Sequence, residues 1–313
     1  MKLLYCAALS AGLAGCAGTT DTAAPATGAE EKPAVSSSQA AHYAAMMAKP
    51  APAPEGGVTA NRIPGAAPML DPFAKEWDQA KPVSVTMTPQ VVATPTNPKP
   101  AIADLSVRSL HNGQWLGVLI EWKDASKSDR LVPDRFGDQV AVEIPVAYRA
   151  DTPPNPMMGA PGEPVNIIQW RAAFQADLDR KREITVRDLY PNAASDLYPD
   201  QVLKTQDVRS YTGAAGVDNP VAKHRDSPVL DQVAEGFGTL TTKPHQEADG
   251  RGVWKDGKWR VVITTPMSAV AANAPRLNPG ENTVVSFAVW EGSSQEVGAR
   301  KAWSDWVPLK LAK

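Results

Sequence analysis

Cysteine is nearly missing from this sequence: 313 residues hold only Cys6 and Cys16. Cys6 falls inside an apolar N-terminal segment, so the mature chain would keep Cys16 alone. That excludes an internal disulfide, a C-x-x-C-H site for covalent haem attachment, and a cysteine set for zinc or an iron–sulfur cluster. Redox chemistry would need a non-covalent cofactor. Histidine is scarce too. His42, His111, His224 and His245 stand at no telling distance from a nucleophile or carboxylate, and His111 beside Asn112-Gly113 reads as a turn residue. No Gly-rich phosphate loop follows a strand. Charge of one sign is also lacking: 32 Lys and Arg against 34 Asp and Glu leave −2, without the basic footprint a nucleic acid requires. Helix-period runs are few, whereas proline (29) and glycine (22) are plentiful. That balance favours an all-β protein with irregular connections.

The N-terminus reads as an address. Lys2 precedes an apolar run, residues 3–13, that is too short to span a membrane. Leu13-Ala14-Gly15-Cys16 resembles a bacterial lipobox. The resemblance implies a signal peptide over 1–15, a lipidated Cys16 as mature N-terminus, and a periplasmic lipoprotein. Ala17 after the cysteine points to the outer membrane, and several acyl chains on one residue would anchor stably. Residues 16–75 are rich in Ala, Pro, Thr and Gly, too poor in apolar surface to offset ordering entropy, and read as a flexible tether.

The folded domain is expected over residues 76–313. Alternating apolar residues predict strands at 83–87, 105–110, 115–122, 138–146, 164–171, 251–255, 258–264 and across 282–311. Asn112-Gly113 and Asp256-Gly257 mark two hairpins. Trp115, Trp122, Trp170, Trp254, Trp259 and Trp290 would mostly fill the core of an antiparallel β-sandwich, immunoglobulin-like or DOMON-like in build. A long irregular insertion, residues 173–234, interrupts it.

Two places could carry chemistry. The segment 153–159, PPNPMMG, is a proline-stiffened loop presenting Met157 and Met158, and a methionine thioether can ligate haem iron. It could equally plug the end of the sandwich, since methionine fills gaps adaptably. Lys301 sits among Ala302, Trp303 and Trp306, where a surface lysine guarding an edge strand is the ordinary expectation. Glu143 and Asp138 lie on a predicted strand, where exposure is the default.

Six stretches in register resemble the haem-b-binding gamma subunits of the ethylbenzene dehydrogenase, dimethylsulfide dehydrogenase, selenate reductase and chlorate reductase family. They are VSVTMTPQ (83–90), LSVRSLHNGQWLGVLIEWKD (105–124), FGDQVAVEIPV (136–146), MMGAPGEPVNIIQWRA (157–172), GRGVWKDGKWRVV (250–262) and FAVWEGSSQEVGARKAWSDW (287–306). The resemblance implies a β-sandwich holding one haem b between axial Met158 and Lys301, with Met157 as the alternative. It implies an electron-transfer subunit that is not itself catalytic. Its partners would be a molybdopterin catalytic subunit and an iron–sulfur subunit, or a c-type cytochrome or quinone pool. A lysine must be neutral to ligate iron, so Lys301 needs a desolvated site, which Trp303 could supply. Lys255 and Lys258, beside a hairpin turn, read as exposed. The lipid anchor, the tether and the insertion depart from the family pattern. The rival reading is a carbohydrate- or ligand-binding sandwich without haem, which would present exposed tryptophans as a platform.

Overall fold

The computed structural model describes residues 56–132, 135–182, 184, 186–192, 226–268 and 273–313. Cys16, the signal segment, the tether up to residue 55 and residues 193–225 of the insertion lie outside the described residues.

Among the described residues, fourteen strands carry the fold. The first five are β1 (Val58–Arg62), β2 (Val83–Thr86), β3 (Thr88–Pro89), β4 (Asp104–His111) and β5 (Trp115–Lys123). Then come β6 (Gln139–Pro145), β7 (Val165–Arg171), helix α1 (Ala172–Arg180), β8 (Val229–Ala234) and β9 (Thr241–Thr242). The chain ends with β10 (Asp249–Lys255), β11 (Lys258–Pro266), β12 (Asn282–Trp290), β13 (Ala302–Trp303) and β14 (Val307–Leu311). The predicted hairpins are present. Asn112 closes the first by accepting the amides of Gln114 and Trp115 on Oδ1, and Asp256 and Gly257 both take positive φ in the second.

Eleven of these strands follow one path, β10-β11-β5-β4-β1-β14-β12-β6-β7-β8-β9, bent so that its halves face each other, while β2 pairs with β4 and β13 pairs with β12 and β3. Strand β12 makes the corner. Its Asn282–Val285 half pairs with β14 and its Ser286–Trp290 half with β6. The sandwich is therefore continuous through one strand, and mixed, because β1 runs parallel to both β4 and β14. Strand β1 lies within the stretch read as tether, so the fold starts near Val58 rather than at residue 76. Strand β8 and helix α1 belong to the insertion, whose ends are thus built into the domain.

Between the halves lies the main core. Trp122 of β5 and Trp259 of β11 stack with ring centroids 6.2 Å apart, and Trp170 of β7 meets Trp259 edge-on at 4.9 Å. Val140, Val142, Phe287 and Val289 complete the facing side. Each such side chain contributes roughly 1.5–3 kcal/mol on burial. Gly252 of β10 permits the packing, since a Cβ there would overlap the Trp170 ring. Trp290 is not part of this core and packs instead on the outer face of the second half-sheet.

Candidate functional site

Period-two alternation sends Gln139, Ala141 and Glu143 of β6 to the face away from the core, beside Ile167, Gln169 and Arg171 of β7. Ala288 and Trp290 of β12 continue that face on one side, and Gln232 of β8 on the other. Loops cover it: the segment carrying Met158, the Phe237–Leu240 connection, the turn from Val297 to Lys301, and the stretches around Gln90 and Leu131. They enclose a cavity of about 500 Å³, within the range of small-molecule and cofactor sites. Met158 and Lys301, far apart in sequence, both line it. Met157 is buried but does not.

The Met158 loop is fixed at several points. Asn155 Oδ1 accepts the Met157 amide and the Asn155 carbonyl accepts the Gly159 amide, each at 2.9 Å. Trp306 donates its indole N–H to the Pro154 carbonyl at 2.6 Å. Met158 itself has φ of +70°, a left-handed conformation that costs a non-glycine residue energy and persists only when its surroundings impose it. Here its carbonyl accepts the Gly236 amide at 2.6 Å, and its own amide lowers the pKa of the Glu143 carboxyl.

Lys301 is delivered from the other side. Gln90 donates to the Ala299 carbonyl at 2.8 Å, and Trp290 donates its indole N–H to the Gly298 carbonyl at 2.9 Å. The Lys301 Nζ then lies 5.6 Å from the centre of the Trp290 ring. The aromatic neighbour of this amine is therefore Trp290. The expected Trp303 is half-buried and donates its N–H to Pro89.

Electrostatically the cavity is unusual. Burial lowers the Lys301 pKa, and the nearby Glu143 opposes that shift. Burial raises the Glu143 pKa, against the pull of Lys301 and of the Met158 amide. Glu143 Oε1 has no hydrogen-bond partner. The expectation that Glu143 and Asp138 would be exposed is wrong: they are 8% and 0% exposed, Glu143 because loops roof the outer strand face and Asp138 because it meets the core, where it accepts the Trp259 indole N–H at 2.9 Å. Lys301 likewise is no edge-strand guard. Lys255 and Lys258 are exposed, as expected of turn residues. His111 is fully buried in β4, where Nε2 meets the Ala312 carbonyl at 2.8 Å, so it is a core residue rather than a turn residue.

What the geometry defines as a class is a β-sandwich with a ligand-sized cavity on the outer face of one sheet, entered by a thioether and an amine. The family follows from sequence. Residues 74–302 match the ethylbenzene dehydrogenase family model, and the chain belongs to that family. A Haloferax mediterranei protein named as a respiratory nitrate reductase heme subunit is 24% identical over 79% of this chain and 72% of its own length. The chlorate reductase subunit gamma of Ideonella dechloratans is also 24% identical, over 77% of this chain and 79% of its own. Among solved structures, a family 9 carbohydrate-binding module from Caldicellulosiruptor kristjanssonii, in complex with glucose, overlaps 82% of this chain and 96% of its own. Its 9% identity and TM-score of 0.38 are too low to argue from. The platform that a carbohydrate-binding reading requires is not there, since none of the nine tryptophans is exposed.

Proposed function

We propose that this protein binds a haem b in the outer-face cavity, with Met158 and Lys301 as axial ligands, and relays single electrons as a non-catalytic subunit of a reductase complex. The observation that carries the reading is that these two side chains, brought in by different loops, line one cavity. When bound, the haem supplies one-electron chemistry at its iron, with a potential set by ligand type and burial. The chain's residues fit that group. A thioether and an amine enter among Ala93, Ala141, Ile167, Phe237 and Ala288, which offer an apolar bed for a porphyrin. Desolvation favours the neutral lysine that ligation requires. The hydrogen bonds from Gly236 to the Met158 carbonyl and from Met157 and Gly159 to Asn155 hold the backbone of this loop. The family and its two reductase-subunit relatives support the electron-transfer role. Partners of this reading are a molybdopterin catalytic subunit and an iron–sulfur subunit, with a c-type cytochrome or quinone pool at the other end of the relay. Acylation at Cys16 would hold the protein in the cell envelope, at the outer membrane.

Absorption spectra of the purified full chain, oxidised and dithionite-reduced, with a pyridine haemochrome assay, test the proposal. Sharp reduced α and β bands and one haem b per chain are expected, with haem depleted in Met158→Ala and in Lys301→Ala. Full occupancy and an unchanged spectrum in both variants would overturn the ligand assignment. A colourless chain that takes up no added haem would overturn the function.

A further inference from the structure

A second buried cluster lies at the edge of the cavity. Asp124 follows β5, Asp138 precedes β6 and Glu291 follows β12, and each brings a carboxylate oxygen within 4.8 Å of the other two. They are 4%, 0% and 6% exposed. No ion pair among the described residues reaches any of them. Their charged neighbours are one another: Glu291 acts on Asp124, and Asp124 on Asp138, in each case raising the pKa alongside burial. Buried charges are ordinarily paired or bound to metal, because leaving one unpaired costs several kcal/mol.

The donors around the cluster are neutral and incomplete. Asp124 Oδ1 accepts from the Ser126 amide and hydroxyl, at 3.0 and 3.2 Å. That hydroxyl also reaches Glu291 Oε1 at 3.1 Å, so it sits between two of the acids. Asp138 accepts from the amides of Ser128 and Gly292 and from the Trp259 indole, while Glu291 accepts from Ser293 and Ser294. Asp124 Oδ2 has no donor. The Trp122 indole N–H acts on the Asp124 carboxyl and lowers its pKa without completing a hydrogen bond to it.

We propose that Asp124, Asp138 and Glu291 form a calcium site, with the Ser126 hydroxyl as a neutral fourth ligand. All four groups offer oxygen, which selects a hard cation. Oxygens up to about 5 Å apart fit a Ca²⁺ shell at roughly 2.3–2.6 Å, whereas Mg²⁺ demands a tighter octahedron and keeps waters that this dry site does not favour. The ion would tie the β5–β6 connection to the turn after β12, at the wall where Gly137 and Asp138 line the cavity.

Terbium tests the site on the full chain after chelation. Trp259 donates to Asp138 at 2.9 Å, so an ion bound there sits close to an indole that can sensitise its emission. Excitation of tryptophan should give terbium luminescence saturating at one ion per chain, displaced by calcium but not by equal magnesium, and calcium should raise Tm. Asp124→Asn should weaken binding at least tenfold with far-UV circular dichroism unchanged, and Ser126→Ala should weaken it less. Absence of sensitised emission and of calorimetric heat in the folded wild type would overturn the proposal. So would binding that neither variant changes, which would mark an adventitious surface ion. Should Asp124→Asn fail to fold, the wild-type stoichiometry and Ser126→Ala decide. A haem in the adjoining cavity would quench this emission, so terbium reads the haem-free chain and calcium calorimetry the haem-loaded one.

Discussion

Alternate residues of the same strands build the two faces of the half-sheet β12-β6-β7-β8, and the faces do different work. Val140, Val142, Ile168, Trp170 and Phe287 point inward to a dry core shared with the other half. Gln139, Ala141, Glu143, Gln169 and Arg171 point outward to the cavity. Every residue of β6 is buried, but for different reasons. The inner row is covered by a second sheet with which it interdigitates. The outer row is covered by loops that stop short of filling the space. Stability should therefore concentrate on one face and ligand chemistry on the other.

The largest test of that division is Trp170→Ala. Removing a fully buried tryptophan from the shared core should cost about 3–5 kcal/mol in urea denaturation. A cost below about 1 kcal/mol would contradict the division. Next comes Gly159→Ala, on the loop side. Gly159 has φ of +72°, and a Cβ there would lie 2.6 Å from the Glu163 carbonyl oxygen. A local cost of about 1–3 kcal/mol is expected, with haem retention falling further than the global midpoint does. An unchanged haem off-rate would show that the Met158 loop is not held as described.

The third prediction concerns pH. Burial pushes Asp138 up to about 7 from an ordinary 3.8, so between those values the folded chain holds a proton that the unfolded chain has released. Stability should then fall as pH rises through that window. In chelator-treated protein the urea midpoint should be higher at pH 5 than at pH 8. Asp138→Asn should be less stable at both, with a shallower slope, and added calcium should flatten the wild-type slope. A midpoint that rises with pH would be the wrong sign.

The smallest effect separates two tryptophans. Trp290→Phe removes the indole that faces Lys301 and ties down Gly298, so the haem spectrum or potential should shift. Trp303→Phe removes one hydrogen bond to Pro89 and should cost about 1 kcal/mol with the spectrum unchanged. Reversal of the two would reinstate Trp303 as the neighbour of the amine.

Much of this architecture is legible in the sequence because hairpins are local. Asn112-Gly113 and Asp256-Gly257 announce their turns, and alternation around them announces the strands. Strand β1 escapes notice because its partners, β4 and β14, are distant and parallel, and because its five residues follow a run of Ala, Pro and Gly. Burial of Glu143, Asp138 and Lys301 is invisible for a different reason. A strand's own pattern says which face a residue takes but not what will cover that face. Met158 and Lys301 could be named only by resemblance to a family. Their shared cavity is a product of two loops converging from opposite sides of one sheet.

The placement of β1 has a mechanical consequence. Its three-residue registers with β14 and with β4 overlap at Ala60, and both neighbours run in its own direction. A pull transmitted from upstream of Val58 along the strand would load those hydrogen bonds in shear, together, instead of peeling them one at a time. Force-driven loss of structure is governed by the unfolding rate, so a chain held by its N-terminal end should resist extension until β1 slides out whole. Single-molecule pulling from that end would read this as one abrupt event, and a gradual release would refute it.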